Sequence, residues 1–469
     1  MRTLALFLAL ITGCTVGPDY VKPEIKTPDA WHTELIGPFR SGTAPLHTWW
    51  RSFDDPALDE LVDRARANNL DLRIALARIA AAAAELGIAK GENLPNVSAD
   101  FDSMVNQATQ NGPLGPIGKR DFELHSINVR ADWEIDLFGG IRRQVESSGA
   151  AYEASVEDYR DVMVVLLADV ASNYILVRTL QERIRYTNAN IEAQKGSLRL
   201  ARERNRAGLA PDLDVTQAET NLGTSEALVP TLKLLLQRAR NRLAVLLGEH
   251  PGAVDGLLEG EAPIPTPPAE VVVGIPADLL RQRPDIRAAE RRLASQNARI
   301  GVVEAELYPK FFLFGSIGAS ATDLGNLFDS DSGVYTFGPG FRWNIWQGGR
   351  IRNLRKAEEA RTDAALIGYE QAILRGFEDV ENAVYGFGRQ EARREALVRA
   401  TNANERSVDL VLVLYRAGLV DFQNVLDSQR SLLSVQNDLS RSEGLRSLQL
   451  VRLYRALGGG WEAETEKAQ

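Results

Sequence analysis

The stretch that decides the fold opens Ile351-Arg352-Asn353-Leu354 and closes Leu414-Tyr415-Arg416-Ala417-Gly418-Leu419. Apolar residues recur at Ile373, Phe377, Val380, Val384 and Phe387, in steps of three and four, so they line one stripe of a helix. No proline interrupts the run. The spacing predicts a single helix of roughly 65 residues, about 100 Å long at 1.5 Å per residue. A helix of that length is not stable by itself in water and must lie against others.

A second copy precedes it. Ile141 to Leu209 carries a stripe at Leu166, Val170, Val177, Leu180, Ile184, Ile191 and Leu198, and ends in the same tetrapeptide, Arg206-Ala207-Gly208-Leu209. Other pairs recur in the same order: Leu94-Pro95 with Tyr308-Pro309, Gly139-Gly140 with Gly348-Gly349, and Leu247-Gly248 with Leu457-Gly458. Ordered recurrence at one offset marks an internal duplication. The first repeat is read as 56–248, with a hairpin over 97–138, a long helix over 141–206 and a return helix over 212–247. The second is 276–460, with a hairpin over 310–346, a long helix over 351–416 and a return helix over 421–457. Residues 249–275, rich in proline and glycine, read as a linker. Length alone, at 469 residues, suggests about three domains; the duplication argues instead for one unit built from two halves.

The chain begins Met1-Arg2, then an apolar run from Leu4 to Ile11, then Thr12-Gly13-Cys14. That is the pattern of a secretory signal over 1–13, too short to span a bilayer. Cys14 is the only cysteine, so no internal disulfide can form. Leu10-Ile11-Thr12-Gly13-Cys14 resembles the bacterial lipoprotein box, whose cysteine is lipidated and becomes the first mature residue. Thr15 follows rather than the aspartate that retains lipoproteins at the inner membrane, so the resemblance puts the anchor in the outer membrane. Residues 14–55 read as an extended arm. From Asp54-Asp55-Pro56 one helix is predicted through the alanines at 80–84 to about Asn93.

Pro95 and Pro309, each following the first helix of its repeat, mark a change from helix to strand. Ile127, Val129, Ala131, Trp133, Ile135 and Leu137 alternate with Asn128, Arg130, Asp132, Glu134 and Asp136. Tyr335, Phe337, Phe341, Trp343 and Ile345 alternate with Thr336, Gly338, Gly340, Arg342 and Asn344. Partner strands are read at about 97–105 and 311–319. A period of two with an aromatic face and a polar face is the pattern of a transmembrane barrel strand. Four strands cannot close a barrel, and hydrocarbon does not tolerate open edges, so several chains must pool theirs. The fold class is therefore membrane α+β, with the long helices continuing into a tube of helices.

The return helices carry stripes at Leu228, Leu232, Leu235, Ala239, Leu243 and Leu246, and from Val425 through Leu432 to Leu439. Pro230 predicts a kink or break in the first of them. The tail 461–469 is charged and expected to be disordered.

Composition excludes other classes. Net charge is −9 and the basic residues are dispersed, unlike a nucleic-acid footprint. His32, His47, His125 and His250 show no metal-ligand spacing, and there is no nucleophile elbow or phosphate loop. No enzyme activity, metal or cofactor is expected. A coiled-coil adhesin would explain the long helices but not the hairpins between them.

Several motifs carry a family resemblance over essentially the whole mature chain. They are Cys14-Thr15-Val16-Gly17-Pro18-Asp19-Tyr20, Trp49-Trp50 with Phe53-Asp54-Asp55-Pro56, the two Arg-Ala-Gly-Leu turns, and Leu453-Tyr454-Arg455-Ala456-Leu457-Gly458-Gly459-Gly460-Trp461. The chain resembles the TolC-like outer-membrane efflux factors, in the lipoprotein branch called the NodT type. The resemblance implies a homotrimer with a twelve-strand β-barrel in the outer membrane and a long periplasmic α-helical barrel. It implies a passive exit duct for drugs and toxic small molecules in a tripartite pump, docked to a periplasmic adaptor and an inner-membrane transporter of the RND type. A conduit for type I protein secretion is the alternative.

By the same resemblance, acidic residues just past the second turn constrict the periplasmic end. The matching positions are Asn424 and Asp427, so one carboxylate ring is expected rather than two. Tyr415 and Asp214 match a tyrosine and an aspartate that hold this end shut. Val420 stands where the best-known member has an arginine. Asp212 or Asp421 pairing with Arg206 or Arg416 is one expected substitute. The turns Arg206, Ala207, Gly208, Leu209 and Arg416, Ala417, Gly418, Leu419 are expected to meet the adaptor.

Overall fold

A computed structural model describes residues 15–34, 39–42, 46–109, 111 and 121–461. The signal segment, Cys14 and the tail after Trp461 lie outside the described residues. In chain order the main elements are α1 (Pro56–Asn68), α2 (Leu70–Gly91), β1 (Asn96–Gln107), β2 (Asp121–Ile135), α3 (Gly140–Arg206) and α4 (Asp212–Leu246). The second repeat follows with α5 (Pro284–Ala305), β3 (Lys310–Ala321), β4 (Gly333–Arg342), α6 (Arg350–Arg416) and α7 (Phe422–Ala456). They divide into two compact units, one of 1–24, 78–156 and 288–369, the other of 25–77, 157–287 and 370–469.

The first unit is built on a four-stranded antiparallel sheet in the order β1-β2-β3-β4, so the two hairpins lie side by side and join through β2 and β3. Asn128 faces Asp100 on one side and Gly318 on the other, and Ser316 faces Thr336. Even-numbered residues therefore share one face across all four strands and odd-numbered residues the other. The even face carries Asn96, Ser98, Asp100, Asp102, Asn128, Arg130, Asp132 and Glu134, with Arg130 paired to Asp100 at 3.2 Å. The odd face carries Val97, Phe101, Ile127, Val129, Ile317, Tyr335, Phe337 and Phe341. Tyr335, Phe337 and Phe341 are 76%, 81% and 69% exposed, an arrangement suited to lipid rather than water.

The sheet departs from simple alternation in several places, among them the loop end of the first hairpin, where Met104, Phe122 and Leu124 fall on the even face and Asp121, Glu123 and His125 on the odd one. Phe312 and Phe314 fall on the even, polar face, opposite Gly340 and Gly338, which leave room for the rings. β4 ends at Arg342, opposite the first residue of β3, Lys310, so Trp343 and Ile345 lie beyond the ladder; the next residue in register is Pro309, which has no N–H to donate. Trp343 instead donates its indole N–H to Leu307 O at 3.0 Å, and Trp133 donates to Asn93 O at 3.0 Å. The same bond thus recurs in both repeats, at an amphipathic side chain suited to a membrane boundary.

β2 passes directly into α3. Asp136 accepts from the backbone N–H groups of Ile141 (3.2 Å) and Arg142 (2.9 Å), satisfying donors that a helix start leaves open. The arm binds here too. Val16 donates its N–H to Phe138 O at 3.0 Å. The buried Arg143 donates to Val16 O (3.1 Å), Gly17 O (3.2 Å) and Asp19 Oδ1 (2.6 Å). A Cβ on Gly17, whose φ is +86°, would sit 2.4 Å from Gly301 Cα, so the two backbones touch.

The second unit is mainly helical. Trp49 and Trp50 are buried, and Trp49 stacks on Tyr454 at 5.1 Å. Asp55 caps α1 through Ala57 N (3.0 Å) and Leu58 N (3.3 Å) and accepts from Tyr174 Oη at 2.7 Å. The single helix expected after Asp55 is two. Asn69 leaves the helical conformation, donates its amide to Leu246 O at 2.8 Å, and accepts from Leu72 N at 3.0 Å to begin α2. The long and return helices meet through polar rungs as well as apolar ones. Asn190 donates to Gln436 (2.7 Å) and Gln429 to Ser197 (2.8 Å), both buried. Such rungs fix one register between helices.

Pro230 does not break α4, which runs unbroken from Asp212 to Leu246. Its ring lies on the exposed side, where water can reach the carbonyl group it leaves without a donor, whereas its counterpart Ser440 is buried. The segment after α4 is ordered and packed. Leu258 and Ile264 are buried, Ser447 Oγ donates to Pro265 O at 2.5 Å, and Val271–Val273 pairs in parallel with Phe39–Ser41.

One helix among the described residues, Gly140–Arg206, contains an apolar window long enough to cross a bilayer, but two thirds of that window is buried within the protein.

Candidate functional site: the paired turns

Both long helices end in the same way. Gly208 and Gly418 take φ of +71° and +73°, a left-handed conformation that glycine adopts without strain. Leu209 N donates to Arg204 O at 2.8 Å and Gly208 N to Asn205 O at 2.9 Å. Leu419 N donates to Leu414 O at 2.9 Å and Gly418 N to Tyr415 O at 3.0 Å. These are the paired bonds of a Schellman cap, so Arg-Ala-Gly-Leu is a helix stop written twice. All eight turn residues are exposed, and Leu209 and Leu419 stand out at 68% and 71%.

Behind the turns four helices share an apolar cluster: Leu198 and Ala201 of α3, Ala218 of α4, Val411 and Tyr415 of α6, and Phe422, Val425 and Leu426 of α7. Val420 packs against this cluster, so an apolar contact occupies the position where the resemblance set an arginine. Tyr415 is only 3% exposed. Its hydroxyl donates to Asp214 Oδ2 at 2.9 Å, in the first turn of α4. Burial, and then the bond to Asp214, push the phenol pKa up to about 12.

Arg206 and Arg416 do not take the role held open for them. Among the described residues neither pairs with Asp212 or Asp421, and all four side chains are exposed. The arginine that reaches across is Arg204. Its Nη1 donates to Tyr415 O at 2.9 Å and Arg416 O at 3.0 Å, and its guanidinium carbon lies 4.8 Å from the Tyr415 ring centroid. The sequence signal was a basic residue in the last turn of α3, where carbonyl groups lack donors. Three arginines share that region, and only the helix rotation separates the inward Arg204 from the outward Arg202 and Arg206.

Asn424 and Asp427 lie one turn apart on the exposed side of α7, with Val425 and Leu426 turned to the cluster. Asp427 accepts from Gln423 Nε2 at 2.9 Å, and Arg430 Nη1 stands 3.9 Å away. The Asn424 side-chain amide donates to Asp421 O at 3.4 Å. Among the described residues no group of three possible metal ligands comes together.

A duplicated chain with a lipid-suited, edge-open sheet and long helices stopped by matched turns is a channel-forming outer-membrane protein. The model of the outer membrane efflux protein family matches residues 61–249 and 275–459, and the chain belongs to that family. It is 30% identical over 467 residues to nodulation protein T of Rhizobium leguminosarum bv. trifolii, covering 98% of this chain and 97% of that protein. It is 31% identical over 471 residues to the solvent efflux pump outer membrane protein SrpC of Pseudomonas putida, covering 98% of each. Its structure is similar to that of the outer-membrane channel OprN, with a TM-score of 0.89 and 35% identity, covering 96% of this chain and all of that one. The protein is an outer-membrane efflux channel reaching into the periplasm.

Proposed function

We propose that three copies pool their strands into a twelve-strand barrel and form the exit duct of a tripartite efflux pump, with a periplasmic adaptor and an RND-type inner-membrane transporter as partners. The observation that carries the trimer is the sheet: one face is mostly apolar and exposed, and β1 and β4 each keep an edge with no partner among the described residues. The even face, lined with Asp100, Asp102, Asn128, Arg130, Asp132 and Glu134, suits a water-filled lumen. The chain performs no reaction; it conducts. Lipid on Cys14 anchors the arm, which Arg143 ties to the base of the hairpins. SrpC is named for a solvent efflux pump, which favours small-molecule export over type I protein secretion. Purified mature protein in planar bilayers should give discrete conductance steps and run as a trimer in detergent; a monomer without conductance would defeat the reading.

In this duct the Tyr415–Asp214 contact holds the periplasmic turns together, the exposed turns receive the adaptor, and Asp427 with Asn424 faces the constriction. A ring of carboxylates disfavours anions. Asp427→Ala should therefore lower cation preference, read as a shift of reversal potential toward zero in a salt gradient. An unchanged potential would remove Asp427 from the pore. Arg430, 3.9 Å away and exposed, offsets little of that charge in water.

A further inference from the structure

We propose that Arg204 is the positioning residue of the closed turns, gripping the end of the second long helix so that Tyr415 stays in reach of Asp214. The inference rests on the channel reading above and adds a residue to it. Tyr415 is held at both ends. Its hydroxyl is bound by Asp214 from α4, while its carbonyl and its ring face are bound by Arg204 from α3. The α3–α4 turn thus clasps the α6 terminus from two sides, and one arginine makes two of the contacts.

The geometry suits a clasp better than a surface ion pair. The partners of Nη1 are the carbonyls of Tyr415 and Arg416, at the negative end of the α6 dipole, where a fixed cation is favoured. Tyr415 O already accepts the Gly418 N–H of the cap at 3.0 Å, so the guanidinium joins the turn to the neighbouring hairpin. A planar group that both donates to carbonyls and lies against an aromatic ring is an arginine property that lysine lacks. Val420, packed in the apolar cluster, leaves the charge to come from the other hairpin.

The clasp is also incomplete. Arg204 Nε is buried and has no hydrogen-bond partner among the described residues. A buried donor without a partner disfavours the state that contains it. Closing therefore gains two carbonyl bonds and a ring contact but strands one N–H, which water recovers when the turns part. That balance makes the closed state breakable by a docking partner.

The test uses full-length mature protein carrying Arg204→Ala, Arg204→Lys, Tyr415→Phe and the pair Arg204→Ala with Tyr415→Phe, each checked for its oligomeric state. Conductance in planar bilayers should rise several-fold for Arg204→Ala, less for Arg204→Lys, and no further in the double variant than in the larger single one. In parallel, spin labels at Leu209→Cys and Leu419→Cys, with the Cys14 thiol already capped by its lipid, should show a longer and broader distance distribution with Arg204→Ala. Parental conductance and an unchanged distance in Arg204→Ala would overturn the inference, as would effects of Arg204→Ala and Tyr415→Phe that add. Should Arg204→Ala not assemble, Arg204→Lys carries the same comparison. If the parent does not conduct, the channel reading fails, while the label distances still decide whether Arg204 holds the turns.

Discussion

Tyr415→Phe should give a channel that conducts more than the parent at every voltage. The substitution keeps the ring within its apolar cluster and removes one hydroxyl, so the helices keep their packing while the bond to Asp214 is lost. A hydrogen bond to a charged group contributes about 1.5–3 kcal/mol, and Asp214 would also lose a partner in a half-buried place. If the closed and open arrangements are within a few kcal/mol of each other, that loss in each of three chains is enough to shift the population. The pH dependence has a definite sign. The phenol pKa is raised from 10 to about 12, so its contribution is in full force below about pH 10 and lost as pH rises through about 12. Moving from pH 7 to pH 9 should leave the phenol, and with it the conductance, unchanged. Single-channel recording of parent and variant across that range checks both statements, and equal conductance would place the closure elsewhere.

Gly318→Val should abolish barrel assembly, whereas Gly315→Val should be tolerated. Gly318 lies in β3 where the two hairpins join. A Cβ there would sit 2.1 Å from Ile127 O and 2.9 Å from Asn128 Cα. These are backbone atoms of the neighbouring strand and cannot swing aside, so the β2–β3 ladder must open. At Gly315, on the odd face three residues away, the nearest atoms to an added Cβ are at 3.6 Å, ordinary contact distance. Loss of the ladder exposes unpaired backbone groups to hydrocarbon, which costs several kcal/mol per group. The checking measurement is the heat-dependent mobility shift of an assembled barrel, run beside helix content by circular dichroism. A Gly318→Val protein that assembles like the parent would mean the two hairpins are not joined there in the membrane.

Much of the architecture was legible because periodicity is local. A stripe at steps of three and four and a face alternating every second residue are visible without knowing any partner. So was the helix stop at Gly208 and Gly418, since a left-handed cap needs glycine whatever surrounds it. Contacts between distant residues were not legible in that way. Asn69 divides one expected helix into two because Leu246 O offers its amide a partner. Pro230 leaves α4 whole because its side of the helix is open to water. Phe312 and Phe314, apolar like Phe311 and Leu313 beside them, fall on the polar face because the strand register puts them there, and the glycines opposite on β4 leave room for their rings. Tyr415 and Asp214 follow from the family resemblance, whereas the role of Arg204 follows only from its contacts with the end of α6.

Taken alone, the amino-acid order determined the duplication, the two long helices with their stops, and four strands with one face for lipid, because each follows from residue spacing along one chain. Only the tertiary structure decided which cation meets which carbonyl at the turns. That choice depends on how far each helix is rotated about its axis: two residues separate Arg204 from Arg206, and at 100° per residue they point to nearly opposite sides.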